Sequence, residues 1–555
     1  MAKVTGGEIL AKALKIEGVD TIFNLPGDPM GPIASATKPA GMKTYSFRHE
    51  QATALAAQAY AYATKKVGVG IVPSGPAMTN AITGLMTAWS GCLPLLLIGG
   101  NGDRARRFQG DFQEAPQVET AAPFCKWTAS IEDPRHVPYY VNQAVRKIMH
   151  GRPGPVYLDM PANAIAGSVD EEQVKYFPAV EAAPRPMADP QSVKRAVEAI
   201  SKAQRPLLLI GKGMAWSEAQ DEVRQFIDRM QIPFVPSPMG KGVVPDDHAL
   251  NAQGARTYAL QNADLVILAG ARSNWIFHFL SAPRFSPDVK VVQLDIDPSE
   301  IANGHSVDVG LVGDGKAVFG QMLEEIGRVR RPIETPWLQA LETEKKKNAD
   351  SIAPMVNSND APMNMYAMYR EMTKLMARDA TVTADGENTM ALSRVMVPNY
   401  LPRHRIDAGE SGCMGVSTPY AIGMQVARPG KQVFSFNGDY AFGWNGFEVE
   451  TASRYNLPII YVVANNVSVG GPGHNELGTR LESPEQPEGI HYDKVMEAFG
   501  GDGYFIERLD QVRPALEKAL SAHKPSLLNV VIDKRQRRKE QAYTWMTSRT
   551  QRMQY

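Results

Sequence analysis

The stretch Asn437-Gly438-Asp439-Tyr440-Ala441-Phe442-Gly443-Trp444-Asn445-Gly446-Phe447-Glu448-Val449-Glu450-Thr451-Ala452-Ser453-Arg454-Tyr455-Asn456-Leu457-Pro458-Ile459-Ile460-Tyr461-Val462-Val463-Ala464-Asn465-Asn466 decides how the rest of the chain is read. Just before it, Gln432 to Phe436 reads as a buried strand, and Pro458 to Ala464 reads as a second. The residues between have helical length, with Phe447, Val449 and Ala452 as apolar positions. The unit is strand, acidic turn, helix, strand, paired amides. Parallel strands of this kind place their carboxyl ends along one crevice, so Asp439 and Asn466 are expected to be neighbours in space. A carboxylate and an amide oxygen are hard ligands, suited to Mg²⁺ that also holds phosphate oxygens. The helix start after Asp439 adds backbone N–H groups for a diphosphate. Alone, Gly438-Asp439 would read as an ordinary capping aspartate; the Asn465-Asn466 pair after the next strand raises the metal-diphosphate reading above it.

Working outward, 555 residues predict about three or four domains. The composition is that of a globular protein, with 44% hydrophobic and 21% charged residues. Lys and Arg number 59, as do Asp and Glu, so the net charge is zero. That balance argues against a general partner in nucleic acid or an anionic membrane. Cys92, Cys125 and Cys413 are odd in number and far apart, which disfavours structural zinc or a disulfide scaffold and fits a reducing compartment. Residues 1–8 carry no apolar signal segment, and Leu93 to Ile98 is a core strand rather than a membrane span. The expectation is a cytoplasmic protein with no membrane partner.

In chain order, residues 5–17 predict an amphipathic helix and Thr21 to Phe23 a strand. A strand near Lys43 to Phe47 leads through Arg48-His49-Glu50-Gln51 into an alanine-rich helix, Ala52 to Thr64. Strands at Val67 to Val72, Leu93 to Ile98 and Pro155 to Leu158, with a helix at Met78 to Ser90, complete a parallel α/β domain over 1–165. Residues 166–190 read as a linker rich in Glu, Ala and Pro. A second α/β pattern, 190–330, has strands at Pro206 to Ile210, Pro233 to Val235, Asp264 to Ala269 and Val289 to Ile296. A charged helix and a second linker occupy 331–362. The third α/β region, 363–533, has strands at Thr381 to Ala384, 432–436, 458–464 and Leu527 to Ile532. A basic tail with interleaved aromatics closes the chain at 534–555. Three α/β domains of similar size suggest a repeated architecture, although no residue-level repeat is visible.

The opening stretch resembles the thiamine diphosphate (ThDP) signature, Gly-Asp-Gly followed at a distance by Asn-Asn, with Tyr440 in place of the second glycine. The resemblance implies three doubly wound parallel-sheet domains of the ThDP-dependent decarboxylase and acetohydroxyacid synthase type. It implies Mg²⁺ ligated by Asp439, Asn466 and the carbonyl of Ser468, with Gly438 and Tyr440 beside the diphosphate. Glu50 sits where such enzymes carry the glutamate that shares a proton with the cofactor's N1′ nitrogen. Taken alone, Glu50 would be a glutamate favoured by a helix N-terminus. Gly409-Glu410-Ser411-Gly412-Cys413-Met414-Gly415 is similar to the loop that holds the aminopyrimidine, Gly412 through its carbonyl and Met414 as a prop. Gly386-Glu387-Asn388 would add diphosphate donors at a helix start. In isolation, a glycine-rich loop with a core methionine would explain the former.

Within this family, Phe112-Gln113-Glu114-Ala115-Pro116-Gln117-Val118-Glu119 resembles a segment of the 2-hydroxyacyl-CoA lyases. The implied reaction breaks the C1–C2 bond of a 2-hydroxyacyl-CoA into formyl-CoA and an aldehyde or ketone, reversibly. Gln113 would steady the substrate hydroxyl or the departing carbonyl, and His49 has either a proton role or a structural one. The acyl chain stays open, a short branched group such as 2-hydroxyisobutyryl included. Two alternatives stand beside this. Phe47-Arg48-His49-Glu50-Gln51 and Gln109-Gly110-Asp111 lean towards oxalyl-CoA decarboxylase. A non-catalytic nucleotide-binding relative is the alternative of another class. Gly211, Lys212, Arg272 and Asp295 fall at carboxyl ends of middle-domain strands, positions that make nucleotide sites. By resemblance they would hold the ADP part of CoA or a separate ADP, assisted by Arg152. Taken alone, the basic tail reads as a frayed surface end, and zero net charge disfavours nucleic acid as its partner; by resemblance it would fold over CoA, with Arg537, Arg538 and Lys539 near phosphates and Tyr543 and Trp545 closing the pocket. The two halves of such a site usually come from different subunits, which implies a homodimer or homotetramer.

Overall fold

The computed structural model describes residues 2–467, 489–534 and 539. Its frame is three parallel sheets whose strands are nearly all buried aliphatic runs, as sheets covered by helices on both faces require. The first sheet runs Lys43–Ser46, Thr21–Asn24, Gly68–Val72, Leu95–Asn101, Val156–Pro161, Trp127–Ser130. The third runs Arg405–Asp407, Thr381–Ala384, Val433–Gly438, Ile459–Asn465, Ser526–Val531, Asp502–Ile506. Numbered within each sheet, both orders are second, first, third, fourth, sixth, fifth. The repeat that no residue identity betrays is therefore present in topology. The middle sheet is Phe234–Pro236, Pro206–Ile210, Leu265–Ala269, Lys290–Asp295, Val309–Val312, order second, first, third, fourth, fifth.

Strand order reverses between the first and third strands of each sheet, and ligands of such sheets bind at that switch point. There the chain ends of the two strands crowd together in all three. A Cβ on Gly27 would lie 2.5 Å from Pro73 Cγ, and one on Gly211 would lie 2.0 Å from Gly270 O. In the third sheet Gly386 meets Gly438 in the same way.

The first and third sheets are joined through the helices Glu50–Thr64 and Ser417–Ala427, both buried over most of their length. Alanine at 52, 54, 56, 57, 59 and 61 leaves the former thin enough for close contact. A Cβ on Gly423 would lie 2.2 Å from Ala56 O, so backbone meets backbone here. Tyr420 Oη donates to Gln58 Oε1 at 3.3 Å across the same seam.

Several expectations need correction. The segment after Asp439 is not one helix but a helix Asp439–Asn445, a 3-10 turn Gly446–Glu448 and a helix Val449–Arg454. Val449 and Ala452 are buried, but Phe447 is 69% exposed. The helix expected over 78–90 is two, Pro76–Asn80 and Ile82–Gly91. The 166–190 linker begins with Ser168–Asp170, which pairs antiparallel with Lys3–Thr5. The short edge strands Trp127–Ser130, Val309–Val312, Arg405–Asp407 and Asp502–Ile506 escaped the sequence reading: all have five residues or fewer, and three carry polar residues while Val309–Val312 is broken by a glycine. The charged segment is the helix Pro336–Val356. Among the described residues, no helix is long and apolar enough to cross a membrane.

Candidate active site

The third sheet builds one half of the site. Thr381–Ala384 delivers Asp385-Gly386, and the neighbouring Val433–Gly438 delivers Asp439, on either side of the switch point. Gly386 has φ +80°, and a Cβ there would lie 3.0 Å from Gly438 N. Asp439 is 2% exposed, at the start of its helix, and its Oδ1 accepts the Tyr440 N–H at 2.7 Å. Ile459–Asn465 lies beside Val433–Gly438 with Ala464 opposite Gly438, which brings Asn466 to the same crevice. The two asparagines differ in task. Asn465 is buried and donates to Ile490 O at 3.1 Å and Asn529 Oδ1 at 3.2 Å, so it braces the sheet end. Asn466 is half-buried at the chain turn, where Val467 has φ +51°. A β-branched residue in that region is a backbone outlier of the kind that clusters at ligand sites. Ser468, the third expected metal ligand, lies outside the described residues. Asp439 and Asn466 are hard oxygen donors at a helix start with backbone N–H groups, so the residues present fit a divalent cation carrying a diphosphate.

Asp385, which sequence reasoning passed over, organises this half. It is 2% exposed, with Oδ1 accepting from Gly386 N at 2.6 Å and Oδ2 from Val416 N at 2.7 Å. One carboxylate thus ties the Gly386 turn to the loop 409–416. Burial pushes its pKa up to about 6, partly offset by these N–H donors. Its position one residue past a strand end, beside a glycine, is the signal that could have found it. In the loop itself Gly412 has φ +61° and an exposed backbone, and Met414 is half-buried. Asn388 lies in the first turn of the helix Glu387–Met396.

The first sheet builds the other half. Glu50 opens the helix Glu50–Thr64, is 8% exposed, and accepts from Asn80 Nδ2 at 3.0 Å. His49 is the N-cap of that helix, its Nδ1 accepting the Gln51 N–H at 3.1 Å, which is a structural use of the side chain. Gln113 is half-buried at φ +56°, with Oε1 accepting from Ser74 Oγ at 3.0 Å, beside the first sheet's switch point. Below it Gln117 is 1% exposed; it accepts from Gly75 N at 2.5 Å and donates to Asp159 Oδ1 at 2.6 Å and Gly100 O at 2.7 Å. Gln51 touches the other half, its Nε2 3.9 Å from Cys413 Sγ.

A cavity of about 920 Å³ opens at the middle sheet's switch point, with walls from all three domains. Lys212, Arg272, Asp295 and Arg152 line it, together with Glu410 from the 409–416 loop. Gly211 does not line it; it stands behind the wall, packed on Gly270. Lys212 Nζ donates to Cys92 O at 3.0 Å, and burial pulls its pKa down to about 8. Arg272 pairs with Glu410 at 2.5 Å and also donates to Ser90 O. Arg152 pairs with Glu300 and, at 3.4 Å, with Asp297. Asp295 is 8% exposed, and burial pushes its pKa up to about 6.

Arg537, Arg538, Tyr543 and Trp545 lie outside the described residues. Lys539 rests on the linker helix, donating to Asn348 Oδ1 at 3.0 Å and Ser351 Oγ at 2.6 Å.

Comparison with known proteins agrees with this geometry. The chain matches the thiamine pyrophosphate enzyme N-terminal TPP binding domain over residues 4–120, the central domain over 193–322 and the C-terminal TPP binding domain over 384–530; thiamine pyrophosphate is another name for ThDP. It is 38% identical to 2-hydroxyacyl-CoA lyase 1 of Homo sapiens, covering 98% of this chain and 97% of that protein. It is 35% identical to oxalyl-CoA decarboxylase of Escherichia coli (strain K12), covering 95% of each. It is 34% identical to 2-hydroxyacyl-CoA lyase of Arabidopsis thaliana, covering 96% of each. The chain therefore belongs to the thiamine pyrophosphate enzymes, in the company of the 2-hydroxyacyl-CoA lyases and oxalyl-CoA decarboxylase.

Proposed function

We propose that the protein is a ThDP- and Mg²⁺-dependent 2-hydroxyacyl-CoA lyase. It cleaves the C1–C2 bond of a 2-hydroxyacyl-CoA to formyl-CoA and an aldehyde or ketone; the hydroxyl proton is balanced by the hydrogen gained at the formyl carbon. When bound, ThDP supplies the carbon nucleophile and the electron sink. Asp439 and Asn466 hold Mg²⁺, while backbone groups around Gly386, Asn388, Gly438 and Tyr440 hold the diphosphate. The Gly412 carbonyl and Met414 orient the aminopyrimidine. Glu50, buried with Asn80 as a polar partner, shares a proton with N1′.

The observation that carries the lyase reading is Gln113. Its neutral amide is braced by Ser74 at the first sheet's switch point, and a neutral amide suits a hydrogen bond to the hydroxyl or carbonyl of a 2-hydroxyacyl group. The cavity at Lys212, Arg272 and Asp295 is assigned to the ADP part of CoA or to ADP itself: basic groups for phosphates, a carboxylate for ribose hydroxyls. The assembly is a homodimer or homotetramer in which Glu50 of one chain faces the Asp439 half of another.

Product analysis tests the proposal. The protein with Mg²⁺ and ThDP is given oxalyl-CoA and a series of 2-hydroxyacyl-CoAs, short branched ones included. Formyl-CoA with a matching aldehyde or ketone is expected. Carbon dioxide from oxalyl-CoA, with no carbonyl product from the others, makes the protein a decarboxylase instead, the reading favoured by its 35% identity to that enzyme. No product from either, with ThDP bound, overturns the enzymatic reading.

A further inference from the structure

The backbone that leads into Glu50 is gripped from outside its own domain. Glu448 Oε1 accepts the N–H groups of both Arg48 and His49, each at 3.0 Å. Its other oxygen accepts from Thr451 Oγ1 at 2.6 Å. Glu448 sits in the 3-10 turn Gly446–Glu448 and is 1% exposed. Neighbours extend the grip two residues further back, to Ser46. Tyr455 Oη accepts the Ser46 N–H at 2.8 Å, and Arg454 Nη2 donates to Ser46 O at 2.8 Å. Glu450 pairs with Arg48 at 2.8 Å and with Arg454 at 3.0 Å. Both backbone polar groups of Ser46, and the N–H groups of Arg48 and His49, thus end on the segment 448–455.

Burying a carboxylate is costly, and the cost here is visible: burial pushes the Glu448 pKa up to about 7. An apolar side chain would close the same wall without that cost. What the carboxylate adds is three acceptor bonds, two of them to the peptide groups immediately before Glu50. The N-cap geometry that starts the helix Glu50–Thr64 therefore has two fixed points, the His49 ring inside the helix start and Glu448 outside it. The segment that ends at Glu448 begins at Asp439, so one chain's diphosphate half is fastened to the same chain's glutamate half.

We infer that Glu448 is a positioning residue for the cofactor chemistry: by holding the Arg48 and His49 N–H groups across the domain seam, it fixes where the Glu50 carboxyl stands. The inference rests on the reading of Glu50 as the carboxyl that activates ThDP. It needs an oxygen acceptor at position 448 rather than a charge. In Glu448→Gln the amide oxygen keeps both bonds and the amide nitrogen faces Thr451 Oγ1. In Glu448→Asp the charge is kept but the reach is shortened.

The test measures hydrogen–deuterium exchange at C2 of ThDP bound to the full-length enzyme with Mg²⁺, alongside thermal unfolding and turnover. A misplacement of about 1 Å costs on the order of 100-fold, so Glu448→Asp and Glu448→Ala are expected to slow exchange roughly 10- to 100-fold at saturating cofactor. Glu448→Gln is expected to restore it to within about threefold of wild type. Wild-type exchange in a folded Glu448→Asp or Glu448→Ala protein overturns the inference. So does Glu448→Gln as slow as Glu448→Asp, because an oxygen acceptor at the right reach would then not suffice. If the alanine variant does not fold, the aspartate and glutamine pair decides. Glu50→Gln separates the two claims: exchange retained there removes the underlying role of Glu50, whatever position 448 does.

Discussion

Gly386 stands with its Cα against Gly438, so close that a methyl group on Gly386 would lie 3.0 Å from the Gly438 nitrogen. Gly438 ends the third strand of the sheet and Gly386 lies two residues past the end of the first, and the helix that opens at Asp439 follows Gly438 directly. Gly386 also holds φ +80° with ψ 139°, a region open almost only to glycine, where a residue with a Cβ is strained by about 1–2 kcal/mol. Gly386→Ala is therefore expected to move the Asp385–Gly386 turn off the diphosphate cradle. The thermal stabilisation given by Mg²⁺ plus ThDP should shrink markedly, while the cofactor-free melting temperature falls by only a few degrees, as about 1–2 kcal/mol implies. An unchanged ThDP-dependent shift would remove Gly386 from the cradle.

The two halves of the site predict two different failures. On the proposed reading Asp439 ligates the metal, so Asp439→Ala should lose both turnover and the stabilisation by Mg²⁺ plus ThDP. On the same reading Glu50 serves the other end of the cofactor, so Glu50→Gln should keep most of the stabilisation and lose turnover by roughly 100-fold or more. Thermal unfolding with and without Mg²⁺ plus ThDP, next to a product assay, reads both. If the two variants behave alike, the division of labour between the halves is wrong.

The chemistry of this cradle was legible in the sequence because it is local. Gly438-Asp439 and Asn465-Asn466 are bounded by strands whose buried runs are unmistakable, and register alone then brings Asn466 to Asp439. What stayed hidden depends on contacts between distant segments. Glu448 lies inside the very stretch that decides the fold, yet its partners are 400 and 399 residues away. Phe447 had the spacing of a core residue but lies on the surface, because Gly446 and the 3-10 turn rotate the face before Val449. The shared topology of the first and third sheets was invisible for a related reason. It is carried by strand order, and the edge strands that complete it have no strong apolar pattern.

Gln117 holds the floor of the Gln113 loop. Its side chain links Gly75 to Asp159, a carboxyl that burial already pushes up in pKa, and no water-facing substitute is at hand for a residue 1% exposed. Gln117→Leu keeps the volume but leaves the Gly75 N–H without its acceptor, while Asp159 Oδ1 keeps Asn101 and Tyr157 as donors. A buried polar group left so costs about 1–3 kcal/mol. A loss of roughly 1–3 kcal/mol in denaturant unfolding is expected, together with a raised KM for acyl-CoA because the Gly75 turn beside Gln113 loses its support. A variant as stable as wild type would show that the network is slack.

The cavity carboxylate Asp295 predicts a pH signature. Burial, helped by the nearby Glu300 and Asp297 carboxylates, raises its pKa from 3.8 to about 6, against the Asp297 N–H that favours the charge. An acid whose folded-state pKa is raised binds its proton more tightly in the folded protein than in the unfolded chain. Its contribution to stability is therefore complete below about pH 4 and falls as pH rises towards 6, the opposite of a salt-bridged carboxylate. Asp295→Asn removes that titration while its amide oxygen can still accept the Asp297 N–H. The variant should match wild type near pH 4 and exceed it at pH 7 by up to about 3 kcal/mol, two pKa units' worth. Denaturant unfolding across that range decides: a difference that does not grow between pH 4 and pH 6.5 means that Asp295 is not held protonated. With ADP present the order should reverse at pH 7, because the charged carboxylate is the form that accepts ribose hydroxyls. A reversal with ADP but none with CoA would assign the cavity to a free nucleotide, and a reversal with both would assign it to the substrate's own adenosine end.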